Sequence, residues 1–307
     1  MNRFPDNARV CFIGDSLVAQ NFYLPMIIDS YNKLFPTSNV CFFNCGTAGG
    51  TVSFALECLE DDVLSRKPTH AVVAFGVNDS NRWVLDKPKS ASRYEVLKRS
   101  FETYRISLET LCDRIMEAGI QLILCTPAPY DEYEHTPIPP LTGGYALMAE
   151  YAGVVRQLSR EKNIPLCDVY AYLTEVMQTE RLYTDDHVHP SEYGYSFMAR
   201  CFLEYQGLFL DREGYDASVY ERWRNKVGEL RDVYAVECMI VKGYDMSVES
   251  KMAAVEKYAS DKGTLTPYFQ RIMENYVDNL DNKDAISAQA DLIYEEDILP
   301  EKRRKHE

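Results

Sequence analysis

Long apolar runs are missing from this chain of 307 residues. No stretch approaches the length that crosses a bilayer, so a membrane-spanning helix is excluded. Positive charge is also scarce, with 33 Lys and Arg against 47 Asp and Glu. The resulting net charge of −14 argues against a nucleic-acid-binding surface and against docking on an anionic membrane. It favours neutral or cationic ligands. No two cysteines stand in C-x-x-C spacing, so neither a zinc site nor a redox motif is indicated. The nine thiols (Cys11, Cys41, Cys45, Cys58, Cys112, Cys125, Cys167, Cys201, Cys238) read as small core residues in a reducing compartment. Met1 to Asn7 lead directly into the first strand and leave no room for a signal peptide, so a cytoplasmic protein is expected. Internal repeats and low-complexity segments are absent as well.

Aromatic residues, by contrast, are plentiful: 22 Tyr and 13 Phe exceed what a core needs, and some are free to line a groove. The chain is organised around Ala8-Arg9-Val10-Cys11-Phe12-Ile13-Gly14-Asp15-Ser16-Leu17. Val10 to Ile13 is an apolar run of the kind buried on both faces of a sheet. Gly14 permits a tight bend, and Asp15 or Ser16 caps the helix that Leu17 begins. A serine at such a turn sits at the carboxyl edge of the sheet, where open α/β folds bind ligands. It is either a plain helix cap or a nucleophile with backbone N–H groups beside it.

Further strands are expected at Asn39–Asn44, His70–Phe75, Gln121–Thr126 and Ile164–Asp168. Helices are expected at Leu17–Leu34 (kinked by Pro25), Val52–Ser65, Ser92–Ala118, Tyr145–Lys162, Val169–Thr179 and Ser191–Tyr205. Ser92 and Glu95 have capping-box spacing, and Gly119 closes that long helix. Pro127 to Gly144, rich in proline and tyrosine, is a loop long enough to wall a binding site. Five alternations of strand and helix predict a parallel five-stranded sheet in a three-layer α/β/α sandwich, with flavodoxin-like strand order. This catalytic unit is expected over 1–205, with an all-helical extension over 206–307 (patterns at 217–241, 247–260, 267–280 and 284–297). That extension is expected to pack on the fold rather than to gate it.

The strand ends supply Gly14-Asp15-Ser16-Leu17, Asn44-Cys45-Gly46-Thr47-Ala48-Gly49 and Gly76-Val77-Asn78-Asp79, and a late loop supplies Asp186-His187-Val188-His189-Pro190. A parallel sheet delivers all its strand ends to one edge, so these blocks converge. Four such blocks in this order resemble the GDSL/SGNH-type serine hydrolases, over residues 8 to about 205.

The resemblance implies Ser16 as nucleophile, His189 as general base and Asp186 as the carboxylate behind it. It implies oxyanion donors at the Ser16 N–H, the Gly49 N–H and the Asn78 amide, with Gly50 an alternative to Gly49. No metal or organic cofactor is expected. Asp185 with His187 is a second acid–imidazole pair, and Asp185, His187 and His189 are a weaker zinc reading. His70 reads as structural, and His135 as a solvated loop residue. Asp15, Trp83 and Tyr130 are the expected substrate contacts, with Tyr133 and Tyr183 as further candidates. Aromatic faces beside polar groups suit sugar rings, so the implied reaction is hydrolysis of a short acyl, above all acetyl, ester of a carbohydrate. The rival readings are an acyltransferase on the same triad and a non-catalytic binding module. The expected partner is a small-molecule or oligosaccharide ester, not nucleic acid or membrane, with self-association left open.

Overall fold

The computed structural model describes residues 3–208 apart from Pro36; the helical patterns expected beyond 208 lie outside the described residues. Five strands, β1 (Arg9–Gly14), β2 (Cys41–Gly46), β3 (His70–Ala74), β4 (Gln121–Cys125) and β5 (Leu166–Cys167), form one parallel sheet in the order β2-β1-β3-β4-β5. Val10 to Ile13, Phe42, Phe43 and Ala71 to Val73 are buried, so β1, β2 and β3 need cover on both faces.

The crossovers provide it. The chain passes through α1 (Ser16–Ala19) and α2 (Tyr23–Leu34) before β2, then α3 (Val52–Glu57) and α4 (Leu59–Asp62) before β3. It continues through α5 (Ala91–Glu117), α6 (Gly144–Lys162), α7 (Val169–Val176) and α8 (Glu192–Tyr205). The step from β1 to β2 runs one way along the sheet and the later steps run the other. With one handedness of crossover, the two sets of helices must then lie on opposite faces. Accordingly α2 packs against α8, while α3 packs against α5 and α5 against α6. The sandwich and strand order are those the sequence predicts.

Three local expectations need correction. The helix expected over Leu17–Leu34 is two helices, α1 and α2, separated at Gln20–Phe22, where Asn21 takes a left-handed φ of 58°. Pro25 lies in the first turn of α2, where its missing N–H costs nothing. Buried Asn44 holds the break together, donating to Val18 O and Asn21 Oδ1, both at 2.9 Å. The helix expected over Val52–Ser65 is likewise divided into α3, α4 and a 3₁₀ turn at Leu64–Arg66. The cap of α5 is Ser90, whose Oγ accepts from Arg93 N at 3.2 Å, and not Ser92. Ser92 turns its hydroxyl to Ser90 instead.

Candidate active site

The direction of travel along the sheet reverses between β1 and β3, and this is the point at which open parallel sheets leave a crevice. Ser16 leaves the sheet from β1 and Asn78 from β3, one on each side of it. The turn at Ser16 is tight because no side chain stands under it: a Cβ on Gly14 would lie 2.3 Å from Val18 Cγ2. Asp15 Oδ1 accepts from Leu17 N at 3.0 Å and fixes the start of α1. The Ser16 N–H is left without a hydrogen bond among the described residues.

The late loop is a clipped hairpin. Ser191 N donates to Leu182 O at 2.7 Å, Thr184 N donates to His189 O at 2.9 Å, and Tyr183 bridges Pro190. Within it Asp186 Oδ1 accepts from His189 N (2.8 Å), Val188 N (2.9 Å) and Thr184 Oγ1 (3.0 Å). Its other oxygen, Oδ2, meets His189 Nδ1 at 2.5 Å. Burial works to raise the Asp186 carboxyl, but the hydrogen bonds from the His189 ring, His189 N and Val188 N outweigh it and hold it at about 2. A carboxylate ionised there calls for the proton on Nδ1, which leaves Nε2 as an acceptor. Nε2 lies 2.8 Å from Ser16 Oγ.

Across the crevice, Gly49 takes a φ of 73° on an exposed turn, and its N–H is free of hydrogen bonds among the described residues. The Gly50 N–H is committed to Thr47 O at 2.9 Å. Of these two glycines, only Gly49 has a donor to offer. Asn78 Nδ2 donates to Gly50 O at 3.0 Å, which orients the amide and leaves its second N–H available. Asp79 Oδ1 accepts from Val52 N at 2.9 Å and so ties the third block to α3.

The expected substrate contacts divide. Trp83 is 49% exposed beside Asn78 and Gly49 in one cleft. Asp15 is 2% exposed and Tyr130 4%, which corrects both assignments. Asp15 is spent on the backbone of α1. Tyr130 Oη accepts from Leu141 N at 2.8 Å, and its ring packs so tightly on Gly144 that a Cβ there would lie 2.4 Å away. Tyr183 is buried, while Tyr133 is exposed beside Tyr145. His70 is buried with Nδ1 2.8 Å from Thr69 Oγ1, and His135 lies exposed on the long loop.

His187 points inward, with Nε2 2.6 Å from Ile138 O and 2.9 Å from Thr136 Oγ1, while Asp185 pairs with Arg181. Neither Asp185 nor His187 faces the serine with His189. Arg82 has no signal in the sequence, yet it is half-buried with Nη1 3.0 Å from Val77 O. Burial pulls its guanidinium below the usual value, against the opposing charges of Asp15 and Asp186.

A serine hydroxyl, an imidazole and a carboxylate chained by hydrogen bonds, with unpaired N–H donors opposite, is the equipment of a serine-type ester hydrolase. The model of the GDSL-like lipase/acylhydrolase family matches residues 12–197, more than half of the chain, and the protein belongs to that family of carboxylic ester hydrolases. An acetylxylan esterase of Geobacillus stearothermophilus is 28% identical over 190 residues, covering 61% of this chain and 81% of that one. The crystal structure of the Geobacillus stearothermophilus acetylxylan esterase Axe2 aligns with a TM-score of 0.57 at 25% identity, over 70% of this chain and all (100%) of that one. BT4096, a gut microbial diltiazem-metabolizing enzyme, aligns with a TM-score of 0.62 at 23% identity, over 67% of this chain and 48% of that one. Among the described residues no helix is long and apolar enough to cross a membrane.

Proposed function

We propose that the protein removes short acyl groups, above all acetyl, from carbohydrate esters through an acyl-enzyme on Ser16. The observation that carries this reading is the relay from Ser16 Oγ to His189 Nε2 at 2.8 Å and from His189 Nδ1 to Asp186 Oδ2 at 2.5 Å. In the first half-reaction Ser16 Oγ attacks the ester carbonyl carbon as its proton moves to His189 Nε2. The carbonyl oxygen takes up the negative charge and is held by the N–H groups of Ser16 and Gly49 and the free amide N–H of Asn78. The carbon–alkoxy bond then breaks, and the proton on Nε2 goes to the departing alcohol. In the second half a water gives its proton to Nε2, its oxygen attacks the acyl carbon, and the acid is released with Ser16 restored. Asp186 keeps its charge throughout; it orients the ring and stabilises the imidazolium. The acetylxylan esterase relative supports a sugar as the alcohol.

Hydrolysis of p-nitrophenyl acetate, butyrate and octanoate by wild type and Ser16→Ala is the direct test. Activity that is highest on acetate and lost in Ser16→Ala is the expected result. Acyl release that appears only when an acceptor alcohol is supplied would identify a transferase instead. Activity that survives in Ser16→Ala would end the reading.

A further inference from the structure

The groove beside the oxyanion donors has a composition that a folded core would not select. It is a cleft of about 500 Å³ that begins at Gly49 and Asn78 and runs between α3 and the first turns of α5. Besides the buried Tyr104, the wall contributed by α5 consists of Val96, Arg99, Ser100 and Thr103. Those positions follow i, i+3, i+4, i+7, the spacing at which a helix packing on a core places apolar side chains. Here three of the four are polar, so this stripe faces a wet recess.

The opposite lip is Trp83, five residues after Asn78. Asn81 turns the chain with a φ of 48°, and the 3₁₀ turn Arg82–Asp86 presents the indole. Ser80 Oγ and Arg82 Nη1 both donate to Val77 O, at 2.7 and 3.0 Å, and brace the run from Asn78 to Trp83. The Arg82 guanidinium lies 5.9 Å from the Trp83 ring centroid. Asn81 Nδ2 donates to Ser100 Oγ at 2.7 Å and joins this lip to the α5 wall. An aromatic face opposite a guanidinium and hydroxyls is the chemistry that holds a neutral polyhydroxylated ring: the apolar face of the sugar stacks while its hydroxyls hydrogen-bond.

We infer that this cleft is the subsite for the sugar of the ester, with Trp83 as its stacking platform and Arg99 and Thr103 as its hydroxyl contacts. The inference rests on the esterase reading for its orientation. An acetyl group has two carbons and needs no such volume, whereas the alcohol it esterifies does. A sugar in the cleft brings its acyl group to Ser16, with the carbonyl oxygen toward Gly49 and Asn78. The ester oxygen and the carbonyl oxygen hang from the same carbon, so bonding of that carbon to Ser16 Oγ keeps the leaving oxygen within reach of His189.

The test compares acetylated xylobiose with p-nitrophenyl acetate in wild type, Trp83→Ala, Trp83→Phe, Arg99→Ala and Thr103→Val. Tyr94→Ala, an exposed aromatic on α5 outside the cleft, serves as control. The ratio of kcat/KM on the sugar ester to kcat/KM on p-nitrophenyl acetate should fall about tenfold in Trp83→Ala, through KM, as expected for loss of one stacking contact. Trp83→Phe should recover part of it, Arg99→Ala and Thr103→Val should lower it, and Tyr94→Ala should leave it unchanged. Calorimetric titration of the Ser16→Ala protein with xylobiose, which carries no ester, should show binding that weakens with Trp83→Ala added. A ratio unmoved by Trp83→Ala, xylobiose binding that ignores it, or a loss confined to butyrate and octanoate esters would overturn the subsite. The esterase reading fails separately, on activity retained by Ser16→Ala, and the xylobiose titration decides the cleft in that case too.

Discussion

Asp186 divides its two oxygens between the loop and the imidazole, and under the proposed mechanism the division separates what stability needs from what catalysis needs. Asp186→Asn keeps an oxygen for Val188 N and His189 N but turns an N–H toward His189 Nδ1, which favours the wrong tautomer. The expected result is a fall in kcat of about 10⁴ with Tm nearly unchanged, read by steady-state kinetics and thermal melts. Removing the amide of Asn78 is a smaller change. Asn78→Ala should lower kcat by about 10²–10³, or ~3 kcal/mol of transition-state stabilisation, with KM little altered. Asp15 acts on stability instead. Burial above all, against the hydrogen bond from Leu17 N and reinforced by the charge of Asp79, pushes its carboxyl from 3.8 up to about 7. Asp79, also buried, is pushed up to about 6. Between pH 3.8 and 7 the folded protein retains a proton that the unfolded chain has released, so stability falls as pH rises through this window. Asp15→Asn should flatten the fall of Tm between pH 4 and 8. A slope equal to that of wild type would contradict this account of Asp15.

At the level of elements, the hairpin from Leu182 to Ser191 shows how the loop that carries Asp186 and His189 is held without a disulfide. Its ends are pinned at Leu182 O, and its middle is fastened to the long loop by His187, which is fully buried (0% exposed) with a left-handed φ of 64°. Asp131 N also donates to His187 O, at 3.0 Å. Helix α8 can approach this hairpin because residue 194 is glycine: a Cβ there would lie 2.1 Å from Leu182 O. Gly194→Ala should therefore destabilise the protein by about 1–3 kcal/mol and slow acyl transfer as well, measured by denaturant melts and by burst kinetics. Much of this level was legible in the sequence. The apolar runs give the strands, the blocks at their ends give Ser16, Gly49 and Asn78 as candidates, and the late loop gives Asp186 and His189. What was not legible depends on contacts between distant residues. The break after α1 is stabilised by Asn44 from the next strand, and Tyr130 is drawn inside by Gly144 and Leu141. Neither appears in local periodicity. Arg82 escaped for the same reason, since the charges that bear on it, Asp15 and Asp186, are far apart in sequence and act on one site only when β1, β3 and the late loop share one edge.

Over the whole molecule, the net charge of −14 sets how substrates arrive. Neutral esters should be turned over at rates nearly independent of salt. An anionic ester such as a hemisuccinate should react faster as salt rises from about 20 mM to about 500 mM, because screening shortens the range of repulsion. Initial rates on both esters across that range check this. The strands of the sheet finish together, Gly14 beside Gly46 and Gly14 beside Ala74, so that α1 rests on a floor of small residues. On Gly46 a Cβ would lie 2.4 Å from Ala19 N. Nothing larger fits beneath the serine, whereas Trp83, Arg99 and Thr103 stand exposed at the cleft. The molecule is thus partitioned between a seat that tolerates no redrafting and an attachment that does. A saturation library at the exposed positions 83, 99 and 103 should yield folded variants with new preferences, while the same diversity at 14 and 46 yields mainly dead clones. Under the proposed subsite, one alcohol can therefore be exchanged for another without disturbing the seat that holds the serine.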